Sequence, residues 1–201
     1  MKYKIPLLLI YSRIVFAILI ILLAVFKVDF FRGIIIAFVV LGLLSDIFDG
    51  IIARRLNIST QKLRRLDSSI DQIFWGAILV STYIVSPKFF KANLILILIV
   101  VLLEVACYVI SFIRFKKEVA THAIASKIWT LVLFAMLLQV IATGNSVILF
   151  YICFSIGVVT RLEIILILFI LKDWTNDVPT VYHAVLIKKG KEIKRHKLFN
   201  G

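Results

Sequence analysis

The sequence predicts an all-α polytopic membrane protein, a bundle of six transmembrane helices with both termini cytoplasmic. Three observations carry this reading. Of 201 residues, 62% are hydrophobic and mean hydropathy is +1.08, against roughly 45–50% apolar content in an ordinary soluble domain. Several apolar runs approach or exceed the roughly 20 residues that cross a bilayer. The Lys and Arg residues collect between those runs instead of covering one water-facing surface. So little polar sequence could not clothe a soluble core of this size.

The first span runs over 6–26. It follows "MKYK", which resembles the charged start of a signal peptide, but the apolar run is too long for one and no A-x-A-like site ends it. It is therefore expected to be retained. "KVDFFR" separates it from the second span, 31–55. The third, 66–86, ends at "VSPKFFK", and the fourth covers 92–115. The fifth, 124–143, is divided from the sixth, 146–172, by "TGNS", a turn-forming stretch. The remainder, 173–201, is too polar to span and reads as a basic cytoplasmic tail. Its Lys and Arg residues would gain about 1 kcal/mol each from anionic headgroups, the alternative being a solvated tail. The chain thus divides into a membrane domain, 1–172, and the tail.

Net charge is +13. Nucleic acid is excluded as a partner, because such binding needs a water-exposed basic face. The charge follows the positive-inside pattern. Lys2 and Lys4, then Arg54, Arg55, Lys62, Arg64 and Arg65, then Arg114, Lys116 and Lys117, and finally the tail fall on one side. The other side carries Lys27, Arg32, Lys88 and Lys91. This predicts a multi-pass integral membrane protein, in the inner membrane if bacterial, and puts the loop after the second span in the cytoplasm. The two cysteines, Cys107 and Cys153, lie in apolar runs with no disulfide or metal-binding spacing.

The candidate site lies in "SDIFDGIIARRLNISTQKLRRLDSSID", residues 45–71. Asp46 and Asp49 are spaced i, i+3 near the end of the second span. Asp67 and Asp71 are spaced i, i+4 at the start of the third. Each pair shares a helical face, and a short connection makes the two spans antiparallel neighbours. Charges at a membrane are costly, and four carboxylates also repel one another, so a cation is needed. Oxygen-only ligands select hard divalent ions such as Mg²⁺, and paired ions of this kind serve phosphoryl chemistry. Gly50 permits close approach of a substrate, and Arg54 can pair with phosphate. The competing reading is a set of salt bridges to Arg54, Arg55, Arg64 and Arg65.

This stretch resembles the CDP-alcohol phosphatidyltransferase signature, D-x-x-D-G-x-x-A-R-x8-G-x-x-x-D-x-x-x-D. Asp46, Asp49, Gly50, Ala53, Arg54, Asp67 and Asp71 match it at the right spacing, while its second glycine falls on Leu63. Around the motif, "PLLLIYSR" keeps Pro6 and Arg13 of a Pro-Asn-x-x-Thr-x-x-Arg-like element. "SKIWT", with Lys127 and Thr130, is similar to a Gly-Lys-x-x-Thr element. The resemblance implies that an acceptor hydroxyl attacks the donor phosphorus and CMP leaves. It implies that Asp46, Asp49, Asp67 and Asp71 hold two Mg²⁺ or Mn²⁺ ions and that Asp71 also serves as the base. Asp46, Gly50, Ala53 and Arg54 would bind the CDP moiety. The implied partners are a CDP-alcohol lipid donor, a small polar alcohol acceptor, membrane lipids and a second copy of the chain in a homodimer.

Arg13, Glu104, Lys127, Arg161 and Glu163 fall within apolar spans. They are either functional or paired with one another. Lys127 and Arg161 could meet an acceptor phosphate. The leading function is phospholipid biosynthesis, with CDP-diacylglycerol as donor and glycerol 3-phosphate as acceptor. One alternative reverses the partners, taking a soluble CDP-alcohol and diacylglycerol. Another, from a different class, is a cation transporter. Against the transporter, all four carboxylates lie toward one face of the membrane, whereas a permeation path needs polar groups on both sides of the midplane.

Overall fold

The computed structural model describes residues 4–56, 61–117, 119, 124–175 and 178–191. The helices are α1 (Lys4–Phe26), α2 (Phe31–Arg55), α3 (Gln61–Val85), α4 (Pro87–Ala92), α5 (Leu94–Phe115), α6 (Ile124–Thr143), α7 (Ile148–Ile170) and α8 (Val181–Lys188). Six of them, α1, α2, α3, α5, α6 and α7, are long and apolar enough to cross a membrane. No strand occurs among the described residues. This agrees with an all-α membrane architecture, since a helix satisfies its own backbone hydrogen bonds in lipid.

The chain forms two compact units. One comprises Met1–Phe90 with Leu137–Asn145, the other Lys91–Met136 with Ser146–Gly201. In the first unit α1 packs against both α2 and α3. Ala17 and Ala24 are buried on α1 beside Ile10 and Ile20; small side chains at such positions let helix backbones approach closely. Phe16 stacks on Phe38 of α2 with ring centroids 5.5 Å apart. Gly42 of α2 receives the buried Phe74 ring of α3 so closely that a Cβ there would lie 2.1 Å from Cζ. These contacts fix α2 and α3 relative to α1 along the stretch that carries the aspartates.

The short helix α4 forms within "VSPKFFK", which in the sequence marks only a break between spans. Pro87 occupies its first position, where a missing N–H costs nothing, and Phe89 is buried. Ser86, just before it, donates to the Val140 carbonyl at 3.2 Å. Arg32 donates to the Ile141 carbonyl at 2.6 Å. The Ile141 carbonyl lies in the last turn of α6, where helical partners run out, while the Val140 carbonyl also accepts the Gly144 N–H at 2.8 Å.

In the second unit α5 packs on α7 around Cys107, Ile164 and Leu168. The two cysteines are buried, as their apolar setting predicts. Arg114 donates to the carbonyls of Phe169 and Leu171 at 2.9 and 3.1 Å, closing the end of α7. Beyond it, Val178 and Ala184 join Ile167 and Leu171 in one cluster. The tail therefore begins with a docked helix, because "VYHAVLIK" is too short to span yet apolar enough to bury. A division at residue 172 runs through this cluster.

Candidate active site

Each of the three helices α1, α2 and α3 brings a charged group to one point. Arg13 of α1 is fully buried, and its guanidinium donates to all four aspartates. Nη1 bonds Asp46 Oδ1 at 3.0 Å and also Asp71 Oδ1. Nη2 bonds Asp67 Oδ1 at 2.5 Å and also Asp49 Oδ2. Each nitrogen thus joins one carboxylate of α2 to one of α3. Helical spacing explains why this is possible: Asp46 and Asp49 lie about one turn apart on α2, as do Asp67 and Asp71 on α3. Since α1 contacts both helices, a single side chain reaches both pairs.

The carboxylates differ in exposure. Asp49 is buried, with its side chain 3% exposed, while Asp46, Asp67 and Asp71 are 31–38% exposed. The cluster is therefore open on one side and anchored by Asp49 and Arg13 at depth. With all groups ionised, one guanidinium offsets only one of the four negative charges. Among the described residues the cluster therefore keeps an excess of negative charge.

The donor set fits a divalent ion. Carboxylate oxygens of Asp46, Asp49 and Asp67 lie within 4.8 Å of one another. An all-oxygen set of this kind suits a hard ion such as Mg²⁺, and neither thiolate nor imidazole belongs to it. Asp71 is tied to the same cluster through Arg13 Nη1.

Other residues singled out in the sequence are placed as follows. Gly50 follows Asp49 within α2 and is half-buried. Ala53 and Arg54 continue α2, but their side chains lie outside the described residues. So do the side chains of Arg64 and Arg65, while Arg55 is exposed at the end of α2; among the described residues the aspartates pair instead with Arg13 of α1. Leu63, at the signature's second glycine, sits half-buried in the first turn of α3. Lys127 is exposed on α6. Arg161 is buried on α7 and donates through Nε to Glu104 of α5 at 2.7 Å. This realises the mutual pairing expected of some charges within spans.

Arg13 is the residue whose part sequence reasoning missed. The sequence marks it as an intramembrane charge, either functional or paired with another such charge, and as part of the "PLLLIYSR" element, but does not connect it to the aspartates. Depth gives the signal. Arg13 lies a few turns into α1 from its basic end, and the aspartates lie at similar distances from the α2–α3 connection.

The fold and the site together define a class: a helical membrane protein in which two helices present paired carboxylates that could hold a metal ion. A family model for CDP-alcohol phosphatidyltransferase matches residues 3–161, and the chain belongs to that family. It is accordingly a transferase of phospholipid biosynthesis that moves a phosphatidyl group from a CDP-alcohol, and its family uses divalent metal ions. Searches of curated proteins and of solved structures gave no match.

Proposed function

We propose that the protein transfers the phosphatidyl group of CDP-diacylglycerol to the hydroxyl of a small anionic alcohol, glycerol 3-phosphate, at the cytoplasmic face of the membrane. The observation that supports this reading most is the convergence of Asp46, Asp49, Asp67 and Asp71 on one point.

The acceptor oxygen attacks the phosphorus that bears diacylglycerol. A new P–O bond forms, the bond from that phosphorus to the oxygen bridging it to CMP breaks, and CMP leaves with the bonding pair. The acceptor's proton passes to Asp71, whose carboxylate serves as general base. Asp71 suits the role because it is partly exposed, unlike the buried Asp49. Asp46, Asp49, Asp67 and Asp71 would hold two Mg²⁺ or Mn²⁺ ions. When bound, these supply charge neutralisation at the diphosphate and at the departing CMP. Asp46, Gly50, Ala53 and Arg54 bind the CDP moiety.

The test is incubation of purified protein with CDP-diacylglycerol, Mg²⁺ and a panel of alcohols, read by lipid mass spectrometry. The expected result is a new phospholipid with glycerol 3-phosphate, accompanied by CMP and abolished by chelation. Product formed only from a soluble CDP-alcohol and diacylglycerol would establish the reversed partners. Absence of CMP with every donor and acceptor would return the cluster to cation binding alone.

A further inference from the structure

We propose that Arg13 is an internal counter-ion that competes with the divalent cations for the aspartates and leaves the cluster when they bind. This rests on the reading of the four aspartates as metal ligands.

The argument begins with geometry. The guanidinium places two nitrogens in the cluster, and each accepts the role of a bridge between helices. Nη1 joins Asp46 to Asp71, and Nη2 joins Asp49 to Asp67. Both pairings take one carboxylate from α2 and one from α3. A cation that ties the same two helices together draws on the same carboxylates. A cation drawn to these carboxylates meets the guanidinium's positive charge a few ångströms away and must share or take its acceptor oxygens, so each disfavours the other at the cluster.

The environment supports exchange. Arg13 is 0% exposed, so its charge cannot be solvated by simple rotation into water. Without ions, the carboxylates are the partners that make its burial tolerable. Its Nε has no hydrogen-bond partner among the described residues. The guanidinium is thus held from its carboxylate end alone, and a donor remains for a new acceptor once the Nη bonds break. Anionic phosphate is such an acceptor, and arginine binds it in bidentate fashion.

Two roles for Arg13 make opposite predictions. A pure scaffold would hold the ligands in place for the metal, and its removal would weaken metal binding. A competitor would do the reverse: its removal strengthens metal binding while weakening the metal-free protein.

The experiment uses the full chain in detergent, stripped of metal and without nucleotide. Mn²⁺ binding is followed by the electron paramagnetic resonance signal of the free ion, and unfolding is followed thermally with and without Mn²⁺. Arg13→Gln should bind Mn²⁺ about tenfold more tightly than the parent, as expected when a competing unit charge a few ångströms away is removed. Its metal-free unfolding temperature should fall, and saturating Mn²⁺ should close the gap. Arg13→Lys, which keeps the charge but lacks the fork, should lie between. If Arg13→Gln is recovered folded only with Mn²⁺ present, that dependence supports the proposal; failure of Mn²⁺ to rescue it overturns it. Equal or weaker Mn²⁺ binding by a folded Arg13→Gln also overturns it, while CMP release by the parent would leave the proposed function standing. No Mn²⁺ binding by any variant would overturn both.

Discussion

The Arg161 guanidinium lies 3.6 Å from the centroid of the Trp129 ring, and the same group donates through Nε to Glu104 at 2.7 Å. Trp129 is in turn oriented by its indole N–H, which donates to the Cys153 carbonyl at 3.1 Å. A charge inside a helix bundle is thereby covered on its face by an aromatic ring and at its edge by a carboxylate. Both contacts are strengthened where water is scarce. Three helices, α5, α6 and α7, are tied by one side chain.

Gly157 makes that arrangement possible, and its replacement tests it. A Cβ at Gly157 would lie 2.8 Å from Trp129 Nε1. The ring would have to move, at the expense of its bond to Cys153 and its cover of Arg161. Gly157→Ala should destabilise the protein by about 1–3 kcal/mol, the usual cost of overpacking. Gly76→Ala is the control: nothing lies within 4 Å of the added carbon, and alanine is the better helix former. Thermal unfolding in detergent should show a lowered transition for the first and none for the second.

A similar contact governs the geometry of the aspartates. Gly42 faces the Phe74 ring, and a Cβ there would meet three ring atoms at 2.1–2.8 Å. Phe74 follows Asp71 by about one helical turn. Gly42→Ala should therefore lower both stability and turnover, because a displaced α3 carries Asp67 and Asp71 away from Asp46 and Asp49. Phe74→Leu should restore part of the loss in the double variant. A double-mutant cycle measures this coupling, and additive effects would contradict the contact's role.

Much of this was legible in the sequence. The spans follow from unbroken apolar length, and the aspartate pairs declare themselves because carboxylates at helical spacing beside a membrane have few innocent uses. What the sequence concealed was the partner on α1. Arg13 and the aspartates are far apart along the chain, and no periodicity links them. Only the packing of α1 against both α2 and α3 brings them together. The docked helix α8 was hidden for a different reason: its apolar stretch is short, and polar residues on both sides dominate any window that contains it.

Orientation gives a further test. From the alternation of basic loops we propose that Lys62 and the tail face the cytoplasm and Lys88 the outside. Single cysteines at these positions should react with an impermeant maleimide from the corresponding side of oriented vesicles. The native Cys107 and Cys153 are buried and should contribute little background. Labelling of Lys88→Cys from the cytoplasmic side would contradict the proposed placement of the site.

In the proposed mechanism Asp71 takes the acceptor's proton within a cluster that binds the donor through metal. The direct measurement is CMP release from CDP-diacylglycerol by purified Asp71→Asn, at saturating Mg²⁺, donor and acceptor. Asparagine keeps the size of the side chain and one oxygen but loses the capacity to act as base. Turnover should fall by about 10²–10⁴-fold, with the protein still folded and donor binding largely retained through Asp46, Asp49, Asp67, Gly50 and Arg54. Near-normal CMP release by folded Asp71→Asn would contradict the account and leave Asp71 as a salt-bridge partner of Arg13.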